Sequence, residues 1–476
     1  MNATELLPVI VGAGPAGIRA AHTLAAHGLR PVVLDEALRG GGQIYRRPPD
    51  NFARPPEALY GMEAAKATRV HQALDGLGER VDYRPQSLVW NAQGGLLDVL
   101  HLPTQTTRSV PYTHLIVATG ATDRVLPVPG WTLPGVYTLG AAQIALKFQG
   151  CTIGRDVVLA GTGPLLYLVA YQYAKAGARV RAVLDHAPLA AQVRALPHML
   201  AQPTTLAKGL YYAAWLHTHG VPIHRGTRVL HMDGTPSAER VGAVVWADAA
   251  GREHRTVCDA AALAYALRSE TQLADLLGCQ FAWNATERAH LPVRDTACRA
   301  SVPGVYLAGD GAAIRGADAA ELAGERAALA LLADAGRATG ATTSRAHALE
   351  AALRPMDRWR EAMEVAFPFP QGWAAQAPDA LVVCRCENIT AGTLRACARE
   401  QGADEMNRLK ALTRVGMGRC QGRMCGLAAA EILAHATGKP IEQVGRLRAQ
   451  APLKPLPIQL RVASDDAPAR IGTEAA

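Results

Sequence analysis

The stretch LLPVIVGAGPAGIRAAHTLAAHGLRPVVLDE, residues 6–36, decides the fold. An apolar run leads into a glycine-rich turn, an alanine-rich segment with helical spacing follows, and a second apolar run ends in two acids. This order predicts a β-strand, an α-helix and a parallel β-strand within about 30 residues. A chain that opens with such a unit is expected to be an α/β protein with a mostly parallel sheet.

Three glycines, Gly12, Gly14 and Gly17, form the pattern G-x-G-x-x-G at this turn. The first permits the tight turn, the second lets a pyrophosphate approach the backbone, and the third lets helix and strand pack closely. Free N–H groups at the helix N-terminus favour the anion. Asp35 ends the next strand, where a ribose hydroxyl would bind. A purely structural glycine turn is the alternative, and the combination of strand, helix and acid argues against it.

A second unit, RDVVLAGTGPLLYLVAYQYAKAGARVRAVLD at residues 155–185, repeats the pattern and predicts a second nucleotide-binding-like domain. Gly161 and Gly163 are present, but Leu166 takes the place of the third glycine. A leucine there would push the helix away from the strand. Asp185 still ends the following strand. We expect the domain to keep its fold and to bind a smaller adenine nucleotide or nothing, with nicotinamide binding disfavoured.

Four cysteines are concentrated near the end of the chain, as C-x-C at Cys384 and Cys386 and as C-x4-C at Cys420 and Cys425. No apolar run is long enough to cross a bilayer, and the first residues lack the basic segment of a signal peptide. We therefore expect a cytoplasmic protein, in which such cysteines form a metal site or reactive thiols and not disulfides. Zinc is the first rival to an iron–sulfur cluster at these cysteines. Structural zinc, however, usually uses C-x2-C or wider pairs.

The net charge of +8 is unevenly distributed. From Cys384 onward the chain has 14 Lys and Arg against 9 Asp and Glu, and it has no Phe, Tyr or Trp. A nucleic-acid interface would combine a basic stripe with aromatic residues, so this partner is disfavoured and a local cationic setting for a bound anion is favoured. The single cysteines are expected to be small buried apolar residues; they are Cys151, Cys258, Cys279 and Cys298.

Two later segments, HLIVATGA at residues 114–121 and VPGVYLAGDGA at residues 302–312, resemble motifs of the glutathione- and thioredoxin-reductase-like flavoproteins. The resemblance implies FAD in the first domain, with Asp310 near the ribityl and phosphate region. A helix-capping acid is the alternative for this aspartate. A redox cysteine pair, which the disulfide reductases need, is missing near the motif GGQIYR. The cofactor-binding residues that the fingerprint and the resemblance imply are Gly12, Gly14, Pro15, Ala16, Gly17, Asp35, Glu36, Gly42, Gln43, Ala118, Thr119, Gly120, Gly309 and Asp310.

The cysteine region resembles the small [2Fe–2S] domain of bacterioferritin-associated ferredoxin. This resemblance implies that the cluster ligands are Cys384, Cys386, Cys420 and Cys425. Cys397 falls in a predicted helix that Thr390 would cap, and it is not expected to be a ligand; a second helix is predicted from Cys425 to Gly438. Three arginines nearby would offset the charge of the cluster, with solvated surface positions as the alternative; they are Arg385, Arg419 and Arg423.

The order of the motifs GAGPAG, GGQIYR, GTGPLL, GVYLAGDGA, CRCE and GRCQGRMCG resembles, over nearly the full chain, the α subunits of bacterial heteromeric flavin-dependent amino-acid and opine dehydrogenases. This family includes subunits of opine oxidase, hydrogen cyanide synthase, and proline and hydroxyproline dehydrogenases. The resemblance implies an electron-transfer subunit without catalytic residues of its own. It also implies a β subunit that is similar to D-amino-acid oxidase and carries FAD. FMN between the subunits and a small γ subunit are further options, and the α subunit itself could hold ATP in place of FAD.

Two other functions remain open from the sequence: a self-sufficient NAD(P)H-dependent reductase, and a structural subunit with a vestigial nucleotide site. The leading hypothesis is the electron-transfer subunit, and its expected electron acceptor is a quinone. A peripheral location of the protein at the inner membrane is therefore an alternative to a purely cytoplasmic one. The predicted organisation is two Rossmann-like domains and a small helical cluster domain. Its boundaries are 1–121 with 259–338 for the FAD-binding domain, 122–258 for the NAD-binding-like domain, 339–380 for a connector, 381–460 for the [2Fe–2S] domain and 461–476 for a tail.

Overall fold

The computed structural model describes residues 6–51, 54–235 and 240–462. The α-helices are α1 Pro15–Ala26, α2 Pro56–Tyr60, α3 Ala64–Asp75, α4 Leu139–Lys147, α5 Pro164–Lys175, α6 Leu189–Met199, α7 Pro203–Thr218, α8 Gln272–Leu276, α9 Ala317–Asp334, α10 Gly340–Ala366, α11 Trp373–Gln376, α12 Ala391–Glu400, α13 Met406–Thr413 and α14 Gly426–Thr437. Short 3-10 turns occur at Gly61–Glu63, Gly78–Arg80 and Gly309–Gly311.

The strands are β1 Pro8–Val11, β2 Val32–Leu34, β3 Asp82–Arg84, β4 Ser87–Gln93, β5 Leu96–His101, β6 Thr106–Pro111, β7 His114–Val117, β8 Ala121–Asp123, β9 Val136–Thr138, β10 Asp156–Thr162, β11 Arg179–Asp185, β12 Ile223–Arg225, β13 Arg228–Gly234, β14 Val241–Ala247, β15 Glu253–Val257, β16 Ala260–Tyr265, β17 Leu267–Ser269, β18 Phe281–Asn284, β19 Ala289–Pro292, β20 Val305–Leu307, β21 Val382–Cys384, β22 Ile389–Thr390 and β23 Arg461–Val462.

The first parallel sheet has the strand order β20–β7–β1–β2–β3. Its central strand β1 is buried along its whole length, as the apolar run PVIV requires of a strand that is covered on both faces. Helices α1 and α9 pack against each other on this sheet. The βαβ opening predicted from residues 6–36 is thus confirmed, with β1, α1 and β2 in the expected order.

The second parallel sheet has the order β12–β11–β10–β16–β9. Strand β16, at Ala260–Tyr265, pairs with β10, so the boundary predicted at residue 258 falls too early. The antiparallel pair of β8 and β17 carries the chain out to the second sheet and back. The predicted fold class, two Rossmann-like units and a helical C-terminal region, is confirmed.

The segment 339–380, predicted to be a connector with a helix near residues 347–366, is mostly one longer helix. Helix α10 begins at Gly340 because Thr339 and Thr342 form a reciprocal capping box. Its far end packs with α6 around Ala362 and Met363. The segment therefore packs against the second Rossmann-like unit.

The cysteine region contains two helices that local signals predicted correctly. Thr390 caps α12 through a hydrogen bond from the Thr393 amide, and Gly438 ends α14 in the left-handed conformation. Helix α13 was not predicted, although Glu405 caps it by accepting hydrogen bonds from two backbone amides of its first turn. Of the predicted tail, Arg461–Val462 pair with β6, and the frayed end predicted for residues 463–476 lies outside the described residues.

The cysteine region is docked by apolar packing and by a buried ion pair. One continuous core joins the second sheet, at residues such as Val158, to the cysteine region, at residues such as Leu433. The Asp275 carboxylate accepts hydrogen bonds from Arg446 at 2.6 and 2.8 Å and from the Ala449 amide at 2.6 Å. The three parts of the chain thus share buried contacts.

The three ranges that the structure describes contain no helix that combines the length and the apolar character needed to span a bilayer.

Candidate cofactor sites

The residues predicted to bind a dinucleotide meet at the carboxyl edge of the first sheet. Strand β1 leads into Gly12, β2 into Asp35, β7 into Ala118, and β20 into Gly309 and Asp310. Adjacent parallel strands bring these positions to one edge, where open α/β sheets bind their ligands. The site is therefore assembled by strand order from four segments that lie far apart in sequence.

Two of the three fingerprint glycines are required by contacts inside the chain. A Cβ on Gly12 would lie 2.3 Å from the Ala118 carbonyl oxygen, and its φ of +105° is left-handed. A Cβ on Gly17 would lie 1.8 Å from the Gly12 carbonyl oxygen. These two glycines therefore let α1 start directly at the end of β1, next to β7.

Gly14 differs from the other two because its neighbours would tolerate a side chain. A Cβ on Gly14 would meet only the Cα of Gly42, at an ordinary 3.6 Å. The space in front of the α1 N-terminus is thus open, which fits the place of a pyrophosphate. The neighbouring Gln43 is exposed at the rim of this opening.

The two candidate aspartates both accept backbone hydrogen bonds. Asp35 Oδ2 accepts from the Ala13 amide and Oδ1 from the Ala37 amide at 2.7 Å. Asp310 Oδ1 accepts from the amides of Arg315 and Gly316 at 2.8 and 3.0 Å, ahead of α9. Burial raises the pKa of both carboxyls. Asp310 therefore fixes the turn that precedes α9 without capping the helix itself, and any role at a cofactor comes in addition to that one.

Glu36 was also predicted to bind the cofactor, and this stays a prediction. Its side chain is exposed and forms an ion pair with Lys454, which lies near the end of the chain. It borders a cavity that leads to the cysteines. Glu36 thus lines the same cavity as Cys386 and Cys420.

The second glycine motif encloses its own acid. Asp185 is fully buried, and its carboxylate accepts hydrogen bonds from Tyr167 at 2.7 Å, Ala187 at 2.9 Å, Gln192 at 2.9 Å and Thr162 at 3.1 Å. A carboxylate has about four acceptor positions, so these donors occupy them. The acid that would bind a ribose is therefore satisfied within the domain. Leu166 is also completely buried, and the domain keeps its fold around it.

The four clustered cysteines come together at the start of α14, and all are free thiols. The Cys425 thiol hydrogen-bonds with Cys384 and Cys420, and Cys420 with Cys386. The interaction with Cys425 lowers the pKa of Cys384 and of Cys420, and the same interactions raise the pKa of Cys425. Cys384 and Cys425 are buried, whereas Cys386 is exposed and Cys420 is partly exposed.

Backbone amides point at these sulfurs. The amides of Gly416, Glu387 and Cys386 donate to Cys384, and those of Met424 and Gly422 donate to Cys420. Such N–H donors to thiolate sulfur are among the contacts that set the properties of iron–sulfur sites. The donor set, four thiols with amide donors, fits a [2Fe–2S] cluster.

No group of three or more His, Cys, Asp or Glu side chains in the described ranges is arranged around one metal ion. A [2Fe–2S] cluster distributes its four cysteines over two irons, so it does not require three donors to converge on a point. Cys397 lies in α12, where its thiol contacts Gln401.

An open cavity of about 1110 Å³ lies over the exposed side of the cysteines. Arg385, Arg419 and Arg423, the three arginines expected near a cluster, all line it. Its cationic side chains and thiols are Arg46, Arg385, Arg419, Arg423, Lys454, Cys386 and Cys420. The cavity therefore gives an anionic group access to the cysteines.

The single cysteines follow the prediction in three of four cases. Cys258, Cys279 and Cys298 are buried, as expected for small apolar residues. Cys151 is exposed, so the prediction is wrong there. It follows the end of α4 in a surface turn, which the spacing of single cysteines could not reveal.

Comparison with protein families matches residues 8–331 to the model "Pyridine nucleotide-disulphide oxidoreductase". The chain belongs to this family. Residues 382–465 match a second model, "Sarcosine oxidase A3 domain", which covers the four clustered cysteines. The resemblance to bacterioferritin-associated ferredoxin is not addressed by either match and stays a prediction.

Two curated relatives align with this oxidoreductase over nearly its whole length. An opine oxidase subunit from Agrobacterium tumefaciens (strain Ach5) is 37% identical, over 94% of this chain and 90% of its own. The hydrogen cyanide synthase subunit HcnB of Pseudomonas protegens is 34% identical, over 97% of this chain and 98% of its own. The predicted relationship to these oxidoreductase subunits is confirmed.

The same fold occurs in solved structures. The L-proline dehydrogenase from P. horikoshii superposes with a TM-score of 0.68 at 19% identity, over 95% of this chain and 78% of that one. Thioredoxin reductase from T. acidophilum superposes with a TM-score of 0.50 at 23% identity, over 69% and 97%. The proline dehydrogenase fold extends over the cysteine region as well, whereas the reductase fold covers less of the chain.

Sequence reasoning missed two charged residues between the family's Rossmann-like core and the cysteines. Glu270 forms an ion pair with Arg423 at 2.7 Å, and Arg268 donates to the Arg423 carbonyl at 3.1 Å. Both lie in the plain segment LRSETQ, which matches no motif. Only the three-dimensional packing of the cysteine region against this segment reveals them.

The buried Asp185 leads to a testable pH dependence. Burial raises its pKa to about 6, above the value of about 4 in an unfolded chain. Protonated Asp185 therefore stabilises the folded state relative to the unfolded chain. This stabilisation is complete below about pH 4 and is lost as the pH rises through about 6. In Asp185→Asn this titration is absent. From pH 5 to pH 8 the free energy of unfolding of the wild type should fall by about 1 kcal/mol relative to the variant.

Urea denaturation of both proteins at the two pH values measures this difference. A gap between wild type and Asp185→Asn that stays constant from pH 5 to pH 8 would contradict the buried, titrating carboxyl.

Proposed function

We propose that this chain is the electron-transfer subunit of a heteromeric flavin- and iron–sulfur-dependent dehydrogenase that oxidises a C–N bond of an amino acid or opine. The single observation that carries the proposal is the gathering of four free thiols in one fold with an open dinucleotide cradle. The relatives that align over nearly the whole chain are named as subunits of opine oxidase and hydrogen cyanide synthase.

The first domain would bind FAD at the carboxyl edge of its sheet. The N-terminus of α1, in front of Gly14, would hold the pyrophosphate, and Asp35 would lie beside the ribose. Thr119 and Asp310 would face the remainder of the cofactor. FAD when bound accepts two electrons, and a [2Fe–2S] cluster accepts one. ATP in the same cradle is the alternative, and acid extraction of the purified chain distinguishes the two nucleotides.

The second site would be the [2Fe–2S] cluster, bound by Cys384, Cys386, Cys420 and Cys425. Amides of the two cysteine loops would donate to the sulfurs and hold them in place. Cys386 and Cys420 border the open cavity, so electrons would exchange with other redox groups on that side.

The substrate would be oxidised on a partner β subunit similar to D-amino-acid oxidase. We assign no catalytic residue to this chain. Substrates of the class expected are proline, hydroxyproline, octopine or nopaline, and the acceptor would be a quinone. The cationic cavity over the cysteines suits the phosphate of an FMN at the boundary with the partner, and a small γ subunit is a further component.

A nicotinamide-driven reductase is disfavoured by the second domain. Asp185, which would bind the ribose, already accepts four hydrogen bonds within the chain. We therefore propose that reducing equivalents enter from the partner subunit and not from NADH or NADPH.

The cluster assignment predicts distinct outcomes for two cysteines. The purified chain should contain iron and acid-labile sulfide in equal amounts. Cys420→Ser should abolish the EPR signal of the reduced cluster, because a ligand is lost. Cys397→Ser is the matched control and should keep the signal, since this thiol lies in α12 and contacts Gln401. Zinc without sulfide in the wild type would refute the assignment.

The subunit assignment is tested by co-expression. The chain produced with its candidate β subunit should reduce a dye in the presence of the amino acid or opine, and the chain alone should not. Dye reduction by the single purified chain at the rate of the complex would place substrate oxidation here and refute the proposal.

A further inference from the structure

A short segment, Arg268–Gln272, lies between the two candidate cofactor sites. It runs from β17 into α8 and contacts the flavin motif of β7 on one side. The Thr119 hydroxyl donates to the Glu270 carbonyl oxygen at 2.7 Å. The Glu270 amide in turn donates to the Gly120 carbonyl oxygen at 2.9 Å. The segment is thereby fixed to two of the residues predicted to face FAD.

The other side of the same segment binds the loop between Cys420 and Cys425. Gln272 donates through Nε2 to the Gln421 carbonyl oxygen at 2.6 Å. Arg268 donates through Nη1 to the carbonyl oxygens of Gly422 and Arg423, at 3.4 and 3.1 Å. Successive carbonyls of the cysteine loop are therefore held by side chains of one short segment.

A continuous path of hydrogen bonds and covalent bonds thus connects the flavin motif to the cysteine loop. From Thr119 it passes through the backbone of Glu270 to the Glu270 carboxylate, which accepts from Arg423 Nε at 2.7 Å. Arg423 also donates through Nη1 to the carbonyl oxygen of Cys420 at 3.4 Å. The flavin motif and a predicted cluster ligand are thus separated by only two intervening side chains.

The two charged residues of the segment, Arg268 and Glu270, differ in whether a side chain of opposite charge neutralises them. Glu270 and Arg423 neutralise each other, and both side chains are only 13–14% exposed. Arg268 contacts carbonyl oxygens, and among the described residues it forms no ion pair with a carboxylate. A charge in such partly buried surroundings is weakly screened and acts strongly on a nearby cluster.

We propose that Arg268–Gln272 is a bridge that positions the cysteine loop against the flavin motif, and that Arg268 and Glu270 set the reduction potential of the cluster with opposite signs. This inference rests on the proposed function, because it requires the cluster. Reduction adds negative charge to the cluster. The Arg268 cation stabilises that charge and raises the potential, whereas the Glu270 carboxylate offsets Arg423 and lowers it. Both are positioning residues.

The experiment is an EPR-monitored redox titration of the full chain. Arg268→Gln should lower the midpoint potential of the cluster, and Arg268→Lys, which keeps the charge, should restore most of the shift. Glu270→Gln leaves Arg423 uncompensated and should raise the potential. Arg252→Gln, at a side chain that is 78% exposed in the second domain, is the matched control and should leave the potential unchanged.

Opposite shifts for the Arg268 and Glu270 variants support the inference, because simple loosening of the loop would not reverse sign with charge. Equal potentials in all variants, or shifts in the same direction for Arg268→Gln and Glu270→Gln, overturn it while the proposed function stands. A wild-type chain that assembles no cluster overturns both.

Discussion

The close contact between α1 and β1 is the constraint on which the rest of the structure depends. The Gly12 carbonyl oxygen lies where a Cβ on Gly17 would be. Because glycine has no Cβ, the helix can start at the very end of the strand. This puts the N-terminus of α1 at the edge where β2, β7 and β20 also end. The segment Arg268–Gln272, which begins in β17, contacts Thr119 and Gly120 at the same edge, and the cysteine region docks on that segment.

The repeated βαβ unit shows how one pattern leads to two different sites. In the first unit the space before Gly14 stays open, and the Ala13 amide of the turn donates to Asp35. In the second unit Leu166 fills the core and Tyr167 donates to Asp185, so the acid faces inward. The two units thus differ in how their acids are satisfied, because Asp35 accepts hydrogen bonds from two backbone amides and Asp185 from three side chains and one backbone amide.

Local signals in the sequence were sufficient for some elements and not for others. The glycine fingerprint predicted α1, and Thr390 and Gly438 predicted the ends of helices in the cysteine region, because capping acts within a few residues. The position of β16 in the second sheet depends on pairing with β10, about 100 residues away. The Glu270–Arg423 pair likewise joins distant segments, and no motif marks Glu270.

The central claim is that one chain combines a flavin with a [2Fe–2S] cluster and connects them. Anaerobic titration of the purified chain with dithionite, followed by absorbance and EPR, tests it most directly. The account predicts about three electron equivalents per chain, two bleaching FAD and one producing the EPR signal of the cluster. Uptake of about two equivalents without an EPR signal, or of one without flavin bleaching, would contradict it.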